Sequence, residues 1–141
     1  VYGATGPDVD CKSAIIYCGD TEEVIWQKNA NQKLDPASTT KLLTCLIAVE
    51  TLELDHKVKI TSGAYMPETN IDLTAGEEIT VENLLYAMML HSANDAANVL
   101  GKHVAGSIES FASMMNSKAS EIGCENSHFL KSILPLRSFF L

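Results

Sequence analysis

Positive charge is scarce in this sequence of 141 residues: ten lysines and arginines stand against eighteen aspartates and glutamates, a net charge of −8. Nucleic acids and anionic membrane surfaces attract proteins that carry basic surfaces. Long apolar runs are missing too, and none approaches the roughly 20 residues of a membrane span. These shortages argue against nucleic acid or an anionic membrane as a partner.

Metal-ligand spacings are also missing. The four cysteines and four histidines include no Cys-x-x-Cys and no His-x-x-x-His pair, so a metal site is not expected. Cys45 lies in an apolar run and is expected to pack as a small hydrophobic residue. Cys11 and Cys18 could form a disulfide only in an exported protein, and the sequence leaves that open.

No internal repeat, low-complexity tract or linker interrupts the chain. With 46% hydrophobic and 20% charged residues, its composition is that of a globular protein. Its length suffices for one domain or part of one. No basic and apolar leader precedes the first residues, VYGATGPDVD. We therefore expect either a cytosolic protein or an exported one whose leader has been removed.

Apolar patterns and turn residues predict one hairpin followed by a mostly helical region. Two short runs, SAIIYCGD and EVIWQKN, predict a hairpin with its turn near Gly19 to Glu22, and VKIT predicts a further extended piece. Four helices are predicted from apolar runs and capping residues: one from Asp35-Pro36 to about Leu54, one after Thr80, one from about Asn94 to Val104, and one that Gly123 closes.

The first predicted helix, PASTTKLLTCLIAVE, places an amine at the edge of an apolar run. Lys41 directly precedes the run, and Ser38 lies one turn earlier on the same face. If Asp35 caps the helix, the backbone N–H of Ser38 is an orphan donor at the positive helix end. An Asp35 cap could, however, accept from that same N–H.

This spacing suits nucleophilic catalysis. The hydroxyl of Ser38 can attack a carbonyl, and its own N–H can help to hold the resulting oxyanion. Beside an apolar core the pKa of Lys41 should fall, so the amine can act as a base towards the hydroxyl. The alternative is an ordinary capped helix whose lysine extends to solvent.

A second polar element, MLHSANDAANVL, places Ser92 and Asn94 between two predicted helices. The hydroxyl of Ser92 could relay a proton, and the amide of Asn94 could bind both the lysine and a substrate carbonyl. The alternative is that one of the two residues simply caps the third helix.

These two stretches, with the sequence that follows the second as far as NSHF, closely resemble the D-alanyl-D-alanine carboxypeptidases, which are low-molecular-weight penicillin-binding proteins. The Ser-x-x-Lys motif is shared by penicillin-binding proteins and class A β-lactamases. The resemblance runs from about Ala14 to Phe129, with both elements in the expected order.

The resemblance implies an α/β (α+β) fold of the β-lactamase and transpeptidase type, an antiparallel sheet packed on a helical cluster. It implies Ser38 as the acyl-enzyme nucleophile, Lys41 as its base, and Ser92 and Asn94 as the second catalytic element, with no metal or cofactor. The implied substrate is a peptidoglycan stem peptide ending in D-Ala-D-Ala, and β-lactam antibiotics are the implied acylating inhibitors. Because that substrate lies outside the cytoplasmic membrane, we expect an exported protein whose leader has been removed.

After residue 129 the resemblance stops. The family's third element, a Lys-Thr-Gly on a sheet strand, does not occur, and the chain ends in LKSILPLRSFFL. We expect residues 1–129 to be a partial transpeptidase or carboxypeptidase domain and residues 130–141 a divergent hydrophobic and basic tail, as after truncation or a frameshift. Without the third element, this chain is expected to be a poor or inactive enzyme that self-associates through open sheet edges.

Two alternatives remain. A β-lactamase-like hydrolase would be expected to carry an aspartate in the middle of the second element, where Ala93 stands. A non-catalytic truncated homologue would act, if at all, as a binding or structural module.

Overall fold

The structure, a computed structural model, describes residues 6–130. They form two compact units, one up to Leu34 and one from Asp35 onward. These residues form two small antiparallel sheets and four α-helices, which confirms the α+β class expected from the resemblance. The predicted tail lies outside the described residues apart from Leu130.

The first unit is an antiparallel hairpin, as predicted. Its strands are β1, Ala14–Cys18, and β2, Glu23–Lys28. Ile16 pairs with Trp26 but Tyr17 pairs with Val24, so Ile25 is the extra residue of a β-bulge. Large apolar side chains on both strands are exposed, namely Ile15, Ile16, Tyr17, Val24 and Ile25. A two-stranded hairpin of this kind is marginally stable by itself.

The second unit contains the four predicted helices and a second small sheet. Its elements, in chain order, are a 3₁₀ turn at Ala37–Thr39, α1 at Thr40–Thr51, β3 at Lys57–Lys59, β4 at Glu78–Thr80, α2 at Val81–Leu90, α3 at Asn94–Ala105 and α4 at Ile108–Glu121.

Several predicted helix ends are confirmed. The hydroxyl of Thr80 accepts from the backbone N–H of Asn83 at 3.3 Å and caps α2. Gly106, with φ of 78°, follows α3, and Gly123, with φ of 84°, lies just beyond α4. Glycine suits both positions because its backbone enters the left-handed region without steric cost.

The start of the first helix differs from the prediction. α1 begins at Thr40 rather than at Pro36, and no side chain caps it. Ala37 has a left-handed φ of 47°, a conformation that a regular α-helix does not contain. The helix can therefore become regular only after Ala37, and the prediction that Asp35 is its N-cap is wrong.

The strand predicted at VKIT is confirmed as β3, but its partner β4 carries no signal in the sequence. Lys57, Val58 and Lys59 pair with Thr80, Ile79 and Glu78 in antiparallel register. β4 has only three residues and lies far along the chain, so no local pattern marks it.

The helix α3 lies at the centre of the second unit, packed against α1, α2 and α4. Its residues from Asn94 to Gly101 are all buried. Ala96 and Ala97 have no exposed surface, and such small side chains let neighbouring helices approach closely. This packing brings the start of α3 beside the start of α1.

Among the described helices, none combines the length and the apolar composition that crossing a membrane requires.

Candidate active site

The four side chains predicted to be functional lie together in the second unit, around the amine of Lys41. Its Nζ lies 3.3 Å from the Oγ of Ser38, 3.0 Å from the Oγ of Ser92 and 2.7 Å from the Oδ1 of Asn94. The two serine hydroxyls lie 2.9 Å apart. The Ser-x-x-Lys motif and the second polar element therefore form one hydrogen-bonded cluster.

Ser38 occupies the 3₁₀ turn that precedes α1, and the residue is exposed. The carboxylate of Asp35 accepts from the N–H of Ala37 at 3.2 Å, so Asp35 does not occupy the N–H of Ser38. The strained, left-handed Ala37 directly precedes the serine, and backbone strain of this kind often accompanies functional sites. Because Ser38 is exposed, its hydroxyl is open to a ligand.

Lys41 is only 3% exposed, so the alternative that it extends to solvent is wrong. Two of its contacts are with pure acceptors, the Oδ1 of Asn94 and the carbonyl of Ser92 at 2.8 Å. A neutral amine has two N–H groups and one lone pair. With both N–H groups donated to these acceptors, the lone pair is left to accept a proton from the serine hydroxyls.

Burial lowers the pKa of Lys41, and the nearby Glu68 carboxylate opposes this by raising it. Desolvation dominates because an ammonium loses its hydration in the protein interior. The lowered pKa agrees with the sequence-based expectation and increases the fraction of neutral amine at a given pH.

Ser92 joins α2 to α3 with a left-handed φ of 58°. Its carbonyl and its hydroxyl both face Lys41. The N-cap of α3 is Ala93, and no side chain makes a capping bond there. The alternative that Ser92 or Asn94 merely caps this helix is therefore wrong.

Asn94 is 2% exposed and uses both ends of its amide. Its Nδ2 donates to the carbonyl of Pro67 at 2.9 Å, and its Oδ1 accepts from Lys41. Its backbone N–H donates to the carbonyl of Thr69 at 2.7 Å. The segment that contains Pro67 and Thr69 is thereby attached to the site.

Sequence reasoning missed this segment and the neighbouring Asp95. The contacts are backbone carbonyls and N–H groups, which leave no residue-type signal in a single sequence. An aspartate in the first turn of a helix is also ordinary, since it suits the helix dipole.

Within residues 6–130, no three His, Cys, Asp or Glu side chains gather as metal ligands.

Comparisons with known proteins show which family this chain is similar to. A sequence profile described as D-alanyl-D-alanine carboxypeptidase matches residues 1–133. The D-alanyl-D-alanine carboxypeptidase DacF of Bacillus subtilis (strain 168) is 37% identical over 126 residues, which are 85% of this chain and 32% of that protein. DacC of Escherichia coli (strain K12), of the same description, is 32% identical over 136 residues, 87% of this chain and 34% of that protein.

The fold is similar to that of solved carboxypeptidases. The crystal structure of the D-alanyl-D-alanine carboxypeptidase from Mycobacterium tuberculosis H37Rv superposes with a TM-score of 0.87 at 29% identity, over 97% of this chain and 52% of that one. The fold type expected from the resemblance is thus confirmed. The chain spans about a third of the length of the two curated relatives, and these relatives give no support to the β-lactamase-like alternative.

Proposed function

Because this chain belongs to the D-alanyl-D-alanine carboxypeptidase family, we propose that it acts as a serine-type carboxypeptidase on peptidoglycan stem peptides ending in D-Ala-D-Ala. The observation that carries the proposal is the buried Lys41 amine, held at 3.0 and 3.3 Å from two serine hydroxyls. Ser38 is exposed while Lys41 is not. A nucleophile open to substrate beside a base shielded from water is the arrangement that acyl transfer needs.

The proposed first step is attack by the Oγ of Ser38 on the carbonyl carbon of the penultimate D-alanine. The hydroxyl proton passes to Lys41, and the backbone N–H of Ser38 donates to the oxyanion. Collapse of the tetrahedral intermediate breaks the C–N bond. The departing D-alanine takes the proton from Lys41 and leaves an ester on Ser38, which water then hydrolyses.

Two proton paths connect Ser38 to Lys41. The direct path is the 3.3 Å contact between the Oγ of Ser38 and the Nζ of Lys41. The path through Ser92 consists of two contacts, 2.9 Å from Ser38 to Ser92 and 3.0 Å from Ser92 to Lys41. Proton transfer requires hydrogen-bond contact of about 2.6–3.2 Å. The shorter contacts favour Ser92 as the relay, both for activating Ser38 and for protonating the leaving amine.

Asn94 has two roles in this proposal. Its Oδ1 orients the amine of Lys41, which keeps the lone pair directed towards the hydroxyls. The second N–H of its Nδ2, which the bond to Pro67 does not use, is proposed to donate to a substrate carbonyl. Both roles depend on a fixed amide, and the bond to the carbonyl of Pro67 supports that.

The proposal includes β-lactam antibiotics as acylating inhibitors, because their strained amide offers Ser38 a carbonyl like that of the peptide. Peptidoglycan lies outside the cytoplasmic membrane, so we propose an exported protein that works there. The proposal includes no nucleic-acid partner, because a net charge of −8 would repel a polyanion.

We also propose a domain boundary after Phe129, and self-association through the hairpin edges, which pair with no other strand in the described part of the chain. Phe129 is attached to α4 by two hydrogen bonds with Asn116, at 2.7 and 2.8 Å, so this residue belongs to the helical unit. The exposed apolar side chains of β1 and β2 support pairing between copies.

The test is prolonged incubation of the chain with a fluorescent penicillin, followed by mass spectrometry of the labelled peptide. We expect an adduct on Ser38, and we expect Ser38→Ala to remove it. Ser120→Ala, which alters an exposed serine on α4, is the matched control and should label as the unmodified chain does.

A second assay measures release of D-alanine from a peptide ending in D-Ala-D-Ala, with a peptide ending in L-Ala-L-Ala as the control. Slow release from the first peptide and none from the second is expected, in keeping with the poor activity expected from the sequence. An adduct on any other serine, or none on Ser38 after prolonged exposure, would contradict the proposal.

A further inference from the structure

The residue after Asn94 is a fully buried carboxylate that no motif in the sequence marks. Asp95 is 0% exposed. Its oxygens accept from the backbone N–H groups of Ile71 at 3.2 and 3.3 Å, Leu73 at 3.1 Å and Ala96 at 2.9 Å. Burying a carboxylate is costly unless it is hydrogen-bonded. Among the described residues no cationic side chain pairs with it, so backbone N–H groups provide its compensation.

The N–H groups of Ile71 and Leu73 belong to the segment from Met66 to Leu73, which has no regular secondary structure. The same segment offers the carbonyls of Pro67 and Thr69 to the side chain and backbone of Asn94. Two successive residues of α3 therefore hold four points along this segment. The bonds made by Asp95 and those made by Asn94 depend on each other, because they hold positions only a few residues apart on the same segment.

The carbonyl of Pro67 decides how the amide of Asn94 is oriented. A carbonyl can only accept, so Nδ2 must point towards Pro67 and Oδ1 is left for Lys41. If this carbonyl moved away, the amide could rotate and present its NH₂ group to the amine. Lys41 would then lose its shortest hydrogen-bond acceptor.

We propose that Asp95 is a positioning residue that, by clamping the segment from Met66 to Leu73, fixes the orientation of the Asn94 amide and hence the acceptor seen by Lys41. Its relevance to catalysis rests on the proposed role of Lys41 as the base. Asp95 touches none of the reacting atoms and acts through Pro67 and Asn94.

The test compares Asp95→Asn with Asn98→Ala in the full chain. Asparagine has the size of aspartate, but its NH₂ group would face N–H donors and release the segment. Asn98 holds the chain just before this segment, by donating to the carbonyls of Gly63 and Ala64 at 3.1 and 3.2 Å. It is therefore the control: a buried polar side chain of α3 that also holds backbone groups of a loop, but makes no side-chain hydrogen bond to Asn94 or to the segment from Met66 to Leu73.

Two NMR readouts are used. The first is hydrogen exchange of the Asn94 backbone N–H, measured relative to amides of α4. Exchange should become roughly tenfold faster in Asp95→Asn, as expected when one hydrogen bond is lost, and should be unchanged in Asn98→Ala. The second is titration of the Lys41 Cε resonance. The pKa of Lys41 should fall in Asp95→Asn only, because its ammonium loses the Asn94 acceptor and the Glu68 carboxylate on the released segment.

Unchanged protection of Asn94 in Asp95→Asn overturns the proposal, even if the pKa of Lys41 falls, because loss of a nearby charge alone could lower it. Equal changes in the two variants overturn it as well. Should Asp95→Asn not fold, Asp95→Ser is measured instead, and failure of both to fold would make Asp95 a requirement of the fold rather than a positioning residue. Neither readout needs acylation, so this outcome is separate from a failure of Ser38 to form an adduct.

Discussion

The candidate active site and the β1–β2 hairpin distribute their polar and apolar side chains in opposite ways. At the site, a lysine, an asparagine and an aspartate are buried, and each is satisfied by hydrogen bonds. In the hairpin, isoleucines and a tyrosine are exposed on two strands that, among residues 6–130, pair only with each other.

The difference teaches what each region needs from the rest of the chain. The register of the hairpin depends only on its own residues, because its strands are joined by a short turn, although two strands alone are marginally stable. The site needs three segments that are distant in sequence, and its polar groups are tolerable in the interior only because those segments supply their partners. Substitutions should therefore disrupt the site strongly and the hairpin weakly.

The largest expected effect is at Lys41. Lys41→Arg should abolish acylation, because arginine stays protonated at any working pH. Loss of a general base typically slows a reaction by about 10²–10⁴-fold. Lys41→Ala should do the same while the chain remains folded. The measurement is the rate of Ser38 labelling by fluorescent penicillin, with circular dichroism as the folding control, and retained labelling in either variant would rule out Lys41 as the base.

The same substitution made in both regions sharpens the comparison. Ile47 of α1 is 2% exposed and Ile25 of the hairpin is 67% exposed. Ile47→Ala should lower the free energy of unfolding by about 2–5 kcal/mol, because it leaves a cavity in a packed core. Ile25→Ala should change it by no more than about 0.5 kcal/mol. Urea denaturation measures both, and equal losses would contradict the assignment of the core to the second unit.

Ser92→Ala should have a smaller effect on acylation than loss of Lys41. It removes the relay but leaves the direct 3.3 Å contact between Lys41 and Ser38. We expect labelling to slow by roughly tenfold to a hundredfold, at or below the lower limit of the effect of acid–base groups, because the direct contact remains. Ser120→Ala again serves as the control. Labelling at the unmodified rate would show that the direct path suffices.

The pH dependence should reveal the buried amine. The pKa of Lys41 is lowered below 10.5, the ordinary value for lysine. Acylation should rise with pH as the amine loses its proton, with a midpoint below that value. Between the folded pKa and 10.5 the unfolded chain binds more protons, so the free energy of unfolding should also rise with pH in this window.

The cost of burying the ammonium is present in full below the folded pKa. Lys41→Met removes the titrating group, so it should remove this part of the rise. Urea denaturation as a function of pH checks it. Identical slopes for the two proteins would show that Lys41 titrates as an ordinary lysine.

The smallest effect is expected in the hairpin. Ile15→Lys places a charge on β1, whose second edge pairs with no described strand, and charges on edge strands discourage pairing with other chains. It should lower the apparent mass in sedimentation experiments and leave Ser38 labelling unchanged. Leu90→Lys, at an exposed position of α2, is the control and should leave self-association as it was. No difference between the two variants would exclude the hairpin as the contact.

Much of the fold could be predicted because its signals are local. The hairpin turn, the cap at Thr80 and the glycines after α3 and α4 are set by residues within a few positions of one another. The start of α1 was predicted wrongly for a related reason. Asp35-Pro36 is a good local cap, but the left-handed Ala37 delays the helix to Thr40.

The sequence by itself determined the residue types of the site and their spacing: Ser38 one turn before Lys41, and Ser92 beside Asn94. Only the tertiary structure decided how deeply Lys41 is buried, which atom of Asn94 faces it, and that Asp95 holds the segment containing Pro67. The physical reason is that side-chain chemistry is written in the sequence, whereas burial and backbone partners arise from contacts between distant segments. Those contacts form only when α3 packs against α1 and the segment from Met66 to Leu73 is hydrogen-bonded to Asn94 and Asp95.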